Sequence, residues 1–354
     1  MKIQNLSSAR MTRVRQLIKK AGLDGYLTVS AMEQRYLSGI ELSDGEAVFL
    51  ITPGKAYCIT KELIVSKMTP ARTFLKTEAV AFGSMLAGAV EKAAKLNLKK
   101  VAFDPSFVDL AAGEVLLKAG FERKEGFVTQ LRMGKDADEV AKLRKACKIA
   151  WESFNEVKPK IKTGMTEEEV RILMAVAMHK RGADSVPFNI VCFGENTADA
   201  HHTPSKTRKL KKNEAVLMDF GCFYEGYTSD MTRSWWHGPV VPAQYTKIWN
   251  LVDKARRAGI NVLRAGVTAG AVDKAARDVI AAAGYGKEFF HTTGHGIGLV
   301  VHDAPILRSG SKAVLPPNAV VTVEPGIYFA GKWGIRLEDS FLVTKTGSKK
   351  LTQK

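Results

Sequence analysis

The sequence offers no run of the eighteen or so consecutive apolar residues that a membrane-spanning helix needs. Its opening MKIQNLSSARMTRVRQLIKKAGL also lacks the unbroken apolar block of a secretory leader. An intracellular, cytoplasmic protein without membrane attachment is therefore expected. Cysteine is scarce: Cys58, Cys147, Cys192 and Cys222 lie far apart in 354 residues and form no CxxC pair. That argues against a zinc knuckle or a redox dithiol and for buried thiols in a reducing compartment. Acidic residues are in deficit, 36 against 53 basic ones, for a net charge of +17. Such a balance raises nucleic acid, an anionic membrane or an acidic substrate as partners. The charge is spread thinly, however, with small concentrations at 95–100, 208–212 and 345–354, and no aromatic residues interleave with them as a stacking platform requires. A solvated basic surface is expected, and nucleic acid is not expected as a partner. Low-complexity sequence is missing too. With 45% apolar and 25% charged residues, disorder is excluded as the main state, and the length allows two domains with a substantial core.

What is present divides the chain in two. GYLTV, EAVFLIT and KAYCIT read as strands, while MTRVRQLIKKAG and AGAVEKAAKLN carry helical spacing, so residues 1–133 are expected to form an α/β domain. The pattern then changes to LRMGKDADEVAKLRKACKIAWESFNEV, a long amphipathic helix with acids near its start. The boundary is placed near Gly134, which gives a second domain over 134–354. Within it, Thr166 and Glu169 of TGMTEEEV have the spacing of a capping box.

The second domain contains a repeat. KTGMTEEEVRILMAVAMHKRGADS resembles RAGVTAGAVDKAARDVIAAAGYGKE at a distance of 102 residues, which matches Gly164 with Gly266 and Gly182 with Gly284. Downstream, the apolar run from Asn213 to Asp219 echoes that from Asn318 to Glu324, each with a glycine two positions on, Gly221 and Gly326. Two related halves are expected to pack as one domain, each ending an apolar strand on an acid. Two copies at so long a period do not make a solenoid.

Acids at the ends of buried strands demand a positive partner. Asp219 and Asp230 suit facing positions on a hairpin turning near Glu225 and Gly226. Glu324 and Glu338 suit a second hairpin, where Gly331 and Gly334 permit reversal. If the halves face each other, four carboxylates converge, and two divalent cations would balance charges that could not share a low-dielectric site uncompensated. His295, flanked by glycines in TTGHGIGLVVHDAP, would add a nitrogen ligand, with His302 seven residues on. For any single acid, an ion pair with Lys or Arg is the better reading; for the combination it is not.

MDFGCFYEGYTSDMTRS, TTGHGIGLVVHDAP, TVEPGIY and GIRLEDS together resemble, in order and spacing over residues 135–345, the metallopeptidases of the pita-bread fold: Xaa-Pro aminopeptidases, prolidases and methionine aminopeptidases. AGLDGYLTVSAMEQRYLSG is similar to the creatinase/prolidase-type amino-terminal domain, which methionine aminopeptidases lack, so the resemblance narrows to the Xaa-Pro subgroup. It implies an α/β amino-terminal domain followed by a pita-bread α+β domain with an internal pseudo-twofold repeat. By motif position it implies Asp219 on one metal, Asp230 and Glu338 bridging two, and His295 with Glu324 on the other. Mn²⁺ is the metal implied first, with Co²⁺, Zn²⁺ or Fe²⁺ as alternatives. Two such metals would activate a water for attack on a peptide carbonyl, with Glu324 taking its proton. His302 resembles the histidine that contacts the substrate in this family, and Arg336 the arginine that touches the substrate or orders the metal carboxylates.

A further active-site histidine is expected from GENTADAHHTPSKTRKL. The His-x-x-Pro pattern ending at Pro204 favours His201, whereas an ungapped count of 17 residues to Asp219 favours His202; His201 is taken. The usual proline before it is Ala200 here, which weakens the rigidity of that loop. Tyr328 and Phe188 could line a pocket for a proline ring, but such residues are more often core, and they stay outside the candidate set. The implied activity is removal of an N-terminal residue ahead of proline by an Xaa-Pro aminopeptidase. A prolidase restricted to dipeptides is the alternative, and a non-catalytic RNA- or protein-binding member of the fold is the alternative from another class. A peptide with proline in second position is the implied substrate, and a homodimer the implied assembly. Gly294, Gly296 and Gly298 do not make a dinucleotide fingerprint, because the position it would need is Leu299.

Overall fold

A computed structural model describes residues 2–353 apart from 82 and 84. The chain forms two compact units, Met1–Arg132 and Met133–Lys354. In the first, a six-stranded mixed sheet has the order Lys76–Val80, Ala56–Lys61, Ala47–Ile51, Gly25–Thr28, Val101–Phe103, Glu122–Arg123. The three apolar runs expected as strands occupy its centre. Leu27, Val48, Leu50, Ile59 and Phe103 form a core with Ala89 and Ala93 of the helix Met85–Lys95 and Leu116 of Leu110–Lys118. The helix Lys2–Lys20 buries Met11, Val14 and Ile18, one stripe at helical spacing. This unit is the α/β domain that the alternation of patterns implies.

The second unit opens with the helix Ala137–Val157, started by a capping box between Asp136 and Glu139. The next helix, Glu167–Lys180, has the box expected of Thr166 and Glu169: Glu169 N donates to Thr166 Oγ1 at 3.1 Å, and Thr166 N to Glu169 Oε2 at 2.7 Å. The internal repeat is realised in the backbone. Glu167–Lys180 and Ala269–Ala282 are both 14 residues long, with Thr166 and Thr268 as their N-caps. Asn213 and Asn318 adopt φ of 62° and 63°, a conformation asparagine tolerates, at the start of matching strands. Gly182 to Asn213 spans 31 residues and Gly284 to Asn318 spans 34, so the second half carries three extra residues between helix and strand.

Besides two two-stranded ladders, the unit has two larger sheets of different size. Met231–His237, Glu214–Phe220 and Asn189–Phe193 form the first; Asp303–Leu307, Gly294–Gly296, Val320–Val323, Asp339–Val343 and Ser348–Lys350 form the second. Register corrects one sequence expectation. Glu225 and Gly226 do make the turn, with φ of 46° and 76°, but Asp219 lies opposite Thr232 rather than Asp230, which sits just ahead of its strand. The two acids are diagonal neighbours, because Phe220 pairs with Met231. In the second hairpin, Gly326 pairs with Arg336 and Val323 with Asp339, which places Glu324 and Glu338 at facing positions between the two ladders. Gly331, at φ 70°, makes the reversal. Gly334 instead lies inside the strand Trp333–Arg336, where a Cβ would stand 2.4 Å from the carbonyl oxygen of Thr197.

Candidate active site

Each half ends its central strand on an acid, and the two strand ends meet. Asp219, Asp230, Glu324 and Glu338 line one cavity of about 310 Å³, together with His201, His295, His302 and Arg336. Asp230, His295 and Glu338 each offer a ligand atom within 4.8 Å of the others. The cavity therefore gathers every candidate residue named from the sequence, drawn from both halves of the repeat. His295 reaches it because its flanking glycines let the strand pack tightly: a Cβ on Gly294 would stand 2.2 Å from the Thr322 carbonyl oxygen, and one on Gly296 2.2 Å from that of Ala304. Its Nδ1–H donates to the Gly296 carbonyl at 3.0 Å, which turns Nε2 toward Glu324 Oε1 at 3.2 Å and Asp230 Oδ2 at 3.6 Å.

Arg336 is the one guanidinium lining the cavity among the described residues, and it is almost fully buried. It holds Asp219 Oδ2 at 2.6 Å, donates through Nε to Thr232 Oγ1 at 3.0 Å, and lies 4.0 Å from Glu324. Thr232 Oγ1 donates in turn to Glu338 Oε2 at 2.7 Å. One guanidinium thus faces four carboxylates. Asp219 Oδ1 and Glu338 Oε1 are buried without a hydrogen-bond partner. Burial and then Glu338 drive the Asp230 carboxyl well above its ordinary range, and burial with Glu324 does the same to Glu338. Burial alone would raise Glu324 as well, but the hydrogen bond and charge of His295 hold it down to about 2. Burial would lower His295, and Glu324 outweighs it to give a raised value. His302, whose ring centroid is 4.4 Å from that of His295, is pushed down by burial and by that neighbour.

Orphaned carboxylate oxygens beside an imidazole nitrogen, in a cavity short of positive charge, are the donor set of a divalent cation. The residues present fit one or more such ions. Asp230, His295 and Glu338 offer ligand atoms close enough to share one ion, and Asp219 and Glu324 line the same cavity.

The adjacent histidines part company. His201 lines the cavity, whereas His202 turns its Nε2 to Glu167 Oε2 at 2.8 Å. Two polar residues of the site, His291 and Thr232, carry no expectation from the sequence, and a third, Tyr328, reads there as pocket wall or core. His291 also lines the cavity; its Nδ1–H donates to the Thr292 carbonyl at 2.7 Å, which leaves Nε2 to accept from the Tyr328 hydroxyl at 2.9 Å. Tyr328 accepts in turn from Arg336 Nη1 at 2.9 Å. Burial pushes His291 down to about 4, so the ring is neutral, and raises Tyr328 to about 12. Tyr328 therefore belongs to a polar chain running to Arg336 rather than to plain core packing. The four-residue spacing from His291 to His295 in HTTGH is a signal that could have found the first. Nothing local marks Thr232.

A duplicated α+β unit whose two halves each deliver carboxylates to one metal-competent cavity defines a metal-dependent hydrolase. Comparison with known proteins makes the class specific. The Metallopeptidase family M24 model matches residues 141–345, and the Creatinase/Prolidase N-terminal domain model matches residues 10–134. The chain is 31% identical over 349 residues to the uncharacterized peptidase YqhT of Bacillus subtilis, covering 97% of each. Among solved structures it is similar to an Xaa-Pro dipeptidase from Bacillus anthracis, with 32% identity, a TM-score of 0.90 and 98% of each chain covered. It is also similar to an X-Pro aminopeptidase from Thermotoga maritima, with 31% identity, a TM-score of 0.86 and 97% of each covered. The chain belongs to metallopeptidase family M24, with a creatinase/prolidase-type domain ahead of its peptidase domain. It is a metallopeptidase. No helix among the described residues is long and apolar enough to cross a membrane.

Proposed function

We propose that the protein hydrolyses the bond between an N-terminal residue and proline, with Xaa-Pro dipeptides as its preferred substrates. The observation that carries the hydrolytic reading is the cavity itself, in which four carboxylates and His295 face a single guanidinium while Asp219 Oδ1 and Glu338 Oε1 have no partner. Preference for dipeptides is supported by the size of that cavity, about 310 Å³, at the small end of the range for ligand pockets, and by the Bacillus anthracis relative. The sequence alone put the aminopeptidase first. That second reading is supported by the Thermotoga maritima relative.

In this reading Asp219, Asp230, His295, Glu324 and Glu338 would hold two divalent ions, with Mn²⁺ the first choice. Bound there, the ions supply Lewis-acid polarisation of the scissile carbonyl and activation of water. The chain's own residues do the rest. Glu324, ionised at neutral pH, is the acceptor for the proton of the attacking water. His201 and His302, both on the cavity wall, donate hydrogen bonds to the substrate as its carbonyl oxygen gains charge. Arg336 holds Asp219 in place and anchors Tyr328 and His291 behind it. Phe188 and Val301 offer apolar wall for a proline ring. We place the protein in the cytoplasm as a homodimer, the latter testable by sedimentation equilibrium.

The experiment is direct. Protein stripped of metal and reloaded with Mn²⁺ is offered an Xaa-Pro dipeptide and an Xaa-Pro-Xaa tripeptide. Faster cleavage of the dipeptide is expected; preference for the tripeptide installs the aminopeptidase reading. Cleavage of neither overturns both.

A further inference from the structure

The proposed chemistry makes no use of one buried carboxylate close in the fold to His201. Glu167 opens the helix Glu167–Lys180 and is fully buried. All of its acceptor capacity is taken. Oε1 accepts from Phe193 N at 2.8 Å and Asn196 Nδ2 at 2.9 Å; Oε2 accepts from His202 Nε2 at 2.8 Å and Ser205 N at 2.8 Å. These four donors are spaced from one end to the other of the segment 193–205, and His201 lies between the third and the second of them.

The fold does not require an acid at this position. In the second half of the repeat the matching residue is Ala269, also fully buried, and its helix starts on Thr268 without help from any carboxylate at that site. A buried polar group costs solvation that an alanine would not, so the acid is explained by what it holds. What it holds is a loop with little constraint of its own, since Ala200 restricts the backbone no more than most residues. The remaining ties fix the residues around His201: Arg336 Nη1 donates to the Ala200 carbonyl at 3.3 Å, His201 N donates to Asp199 Oδ1 at 3.1 Å, and Gly334 N donates to Thr197 Oγ1 at 2.9 Å. With the His202 ring pinned to Glu167, the neighbouring imidazole is the one left on the cavity wall.

We infer that Glu167 is a positioning residue of the peptidase site, which fixes the 193–205 loop through His202, Asn196 and two backbone amides so that His201 is presented to the substrate. The inference rests on the reading of His201 as a substrate contact. It adds to that reading a residue that never touches the peptide.

Glu167→Gln tests it, because the new amide group must face two N–H donors where an oxygen accepted them. In the Mn²⁺-loaded protein, kcat/KM for the Xaa-Pro dipeptide is expected to fall by about 10²-fold, the cost of a misplaced contact. In a His201→Ala background the same substitution should cost less than about 2-fold, since the group it positions has gone. Amide exchange followed by mass spectrometry, which needs no turnover, should accelerate at least tenfold in peptides covering 194–205 and stay unchanged in those covering 214–237. His202→Gln removes a single donor and carries the same tests should Glu167→Gln fail to fold, with a smaller effect of the same sign. Unchanged exchange in 194–205 in a folded variant, or the full loss repeated in the His201→Ala background, overturns the inference. An inactive wild-type protein with accelerated exchange in the variant would instead sink the peptidase reading and leave the clamp standing.

Discussion

Replacing Asp230 by asparagine should have opposite effects on the protein with and without metal. Its carboxylate offers an oxygen within 4.8 Å of one from Glu338. At an effective permittivity of about 20, two charges at that distance repel by about 3.5 kcal/mol. The folded protein can relieve part of this only by drawing Asp230 and Glu338 toward their protonated forms, the direction in which burial and the neighbouring carboxylates push both, and that also costs stability relative to the unfolded chain. Asp230→Asn removes one of the two charges. The metal-free protein should gain about 2 kcal/mol, which for a unit of this size raises its thermal midpoint by roughly 4–8 °C. With metal the sign reverses. Wild-type protein at Mn²⁺ a hundredfold above its Kd should gain about 2.7 kcal/mol, and the variant, lacking a ligand charge, should show little of that shift and no turnover. Scanning calorimetry of both proteins, stripped and loaded, reads all four midpoints. A variant that melts earlier than wild type without metal, yet keeps the full Mn²⁺ shift, would refute the argument that the carboxylates are mutually repulsive and await a cation.

Three other outcomes follow from the same geometry. The raised values of Asp230 and Glu338 mean that the metal-free fold holds protons which the unfolded chain releases, so its stability should be fullest below about pH 4 from these groups and decline as pH rises toward their folded values; metal competes with those protons, and the Mn²⁺ shift measured by calorimetry should grow with pH. His291 behaves in the opposite sense: with its folded value near 4, the unfolded chain takes up a proton first as pH falls below about 6.5, and wild type should lose up to about 3 kcal/mol relative to His291→Gln between pH 7 and 4 in urea titrations. Gly334→Ala should destabilise the peptidase unit by about 2 kcal/mol or more, because its Cβ would meet the Thr197 carbonyl at 2.4 Å and Tyr328 at 2.6 Å; a neutral result in the same titration would show that the hairpin and the 194–198 segment can move apart.

Much of the architecture is legible in local patterns. Alternating apolar runs, capping boxes and helix-ending glycines act over a few residues, so the central strands, the helix after Thr166 and the 102-residue repeat could be read before any coordinates. Two acids of the cavity, Asp219 and Glu324, are legible for a related reason, since a carboxylate closing an apolar strand is a local anomaly that demands a partner. Register was not. Asp219 and Asp230 were expected to face each other, and the bond pattern of the hairpin sets Asp219 against Thr232 instead. Only that pairing brings the Thr232 hydroxyl between Arg336 and Glu338.

Local pattern thus sets which elements form, that the second domain is duplicated, and which residue types are available to a cation. The remaining assignments depend on contacts across the fold. His201 and His202 are identical in chemistry and adjacent in the chain, and what separates them is Glu167, 35 residues away from His202, which claims one ring and leaves the other on the cavity wall. Tyr328 reads as core until His291 and Arg336 are seen to claim its hydroxyl. In each case the outcome turns on which buried donor finds which acceptor, and that is settled by contacts between distant segments rather than by the residues on either side.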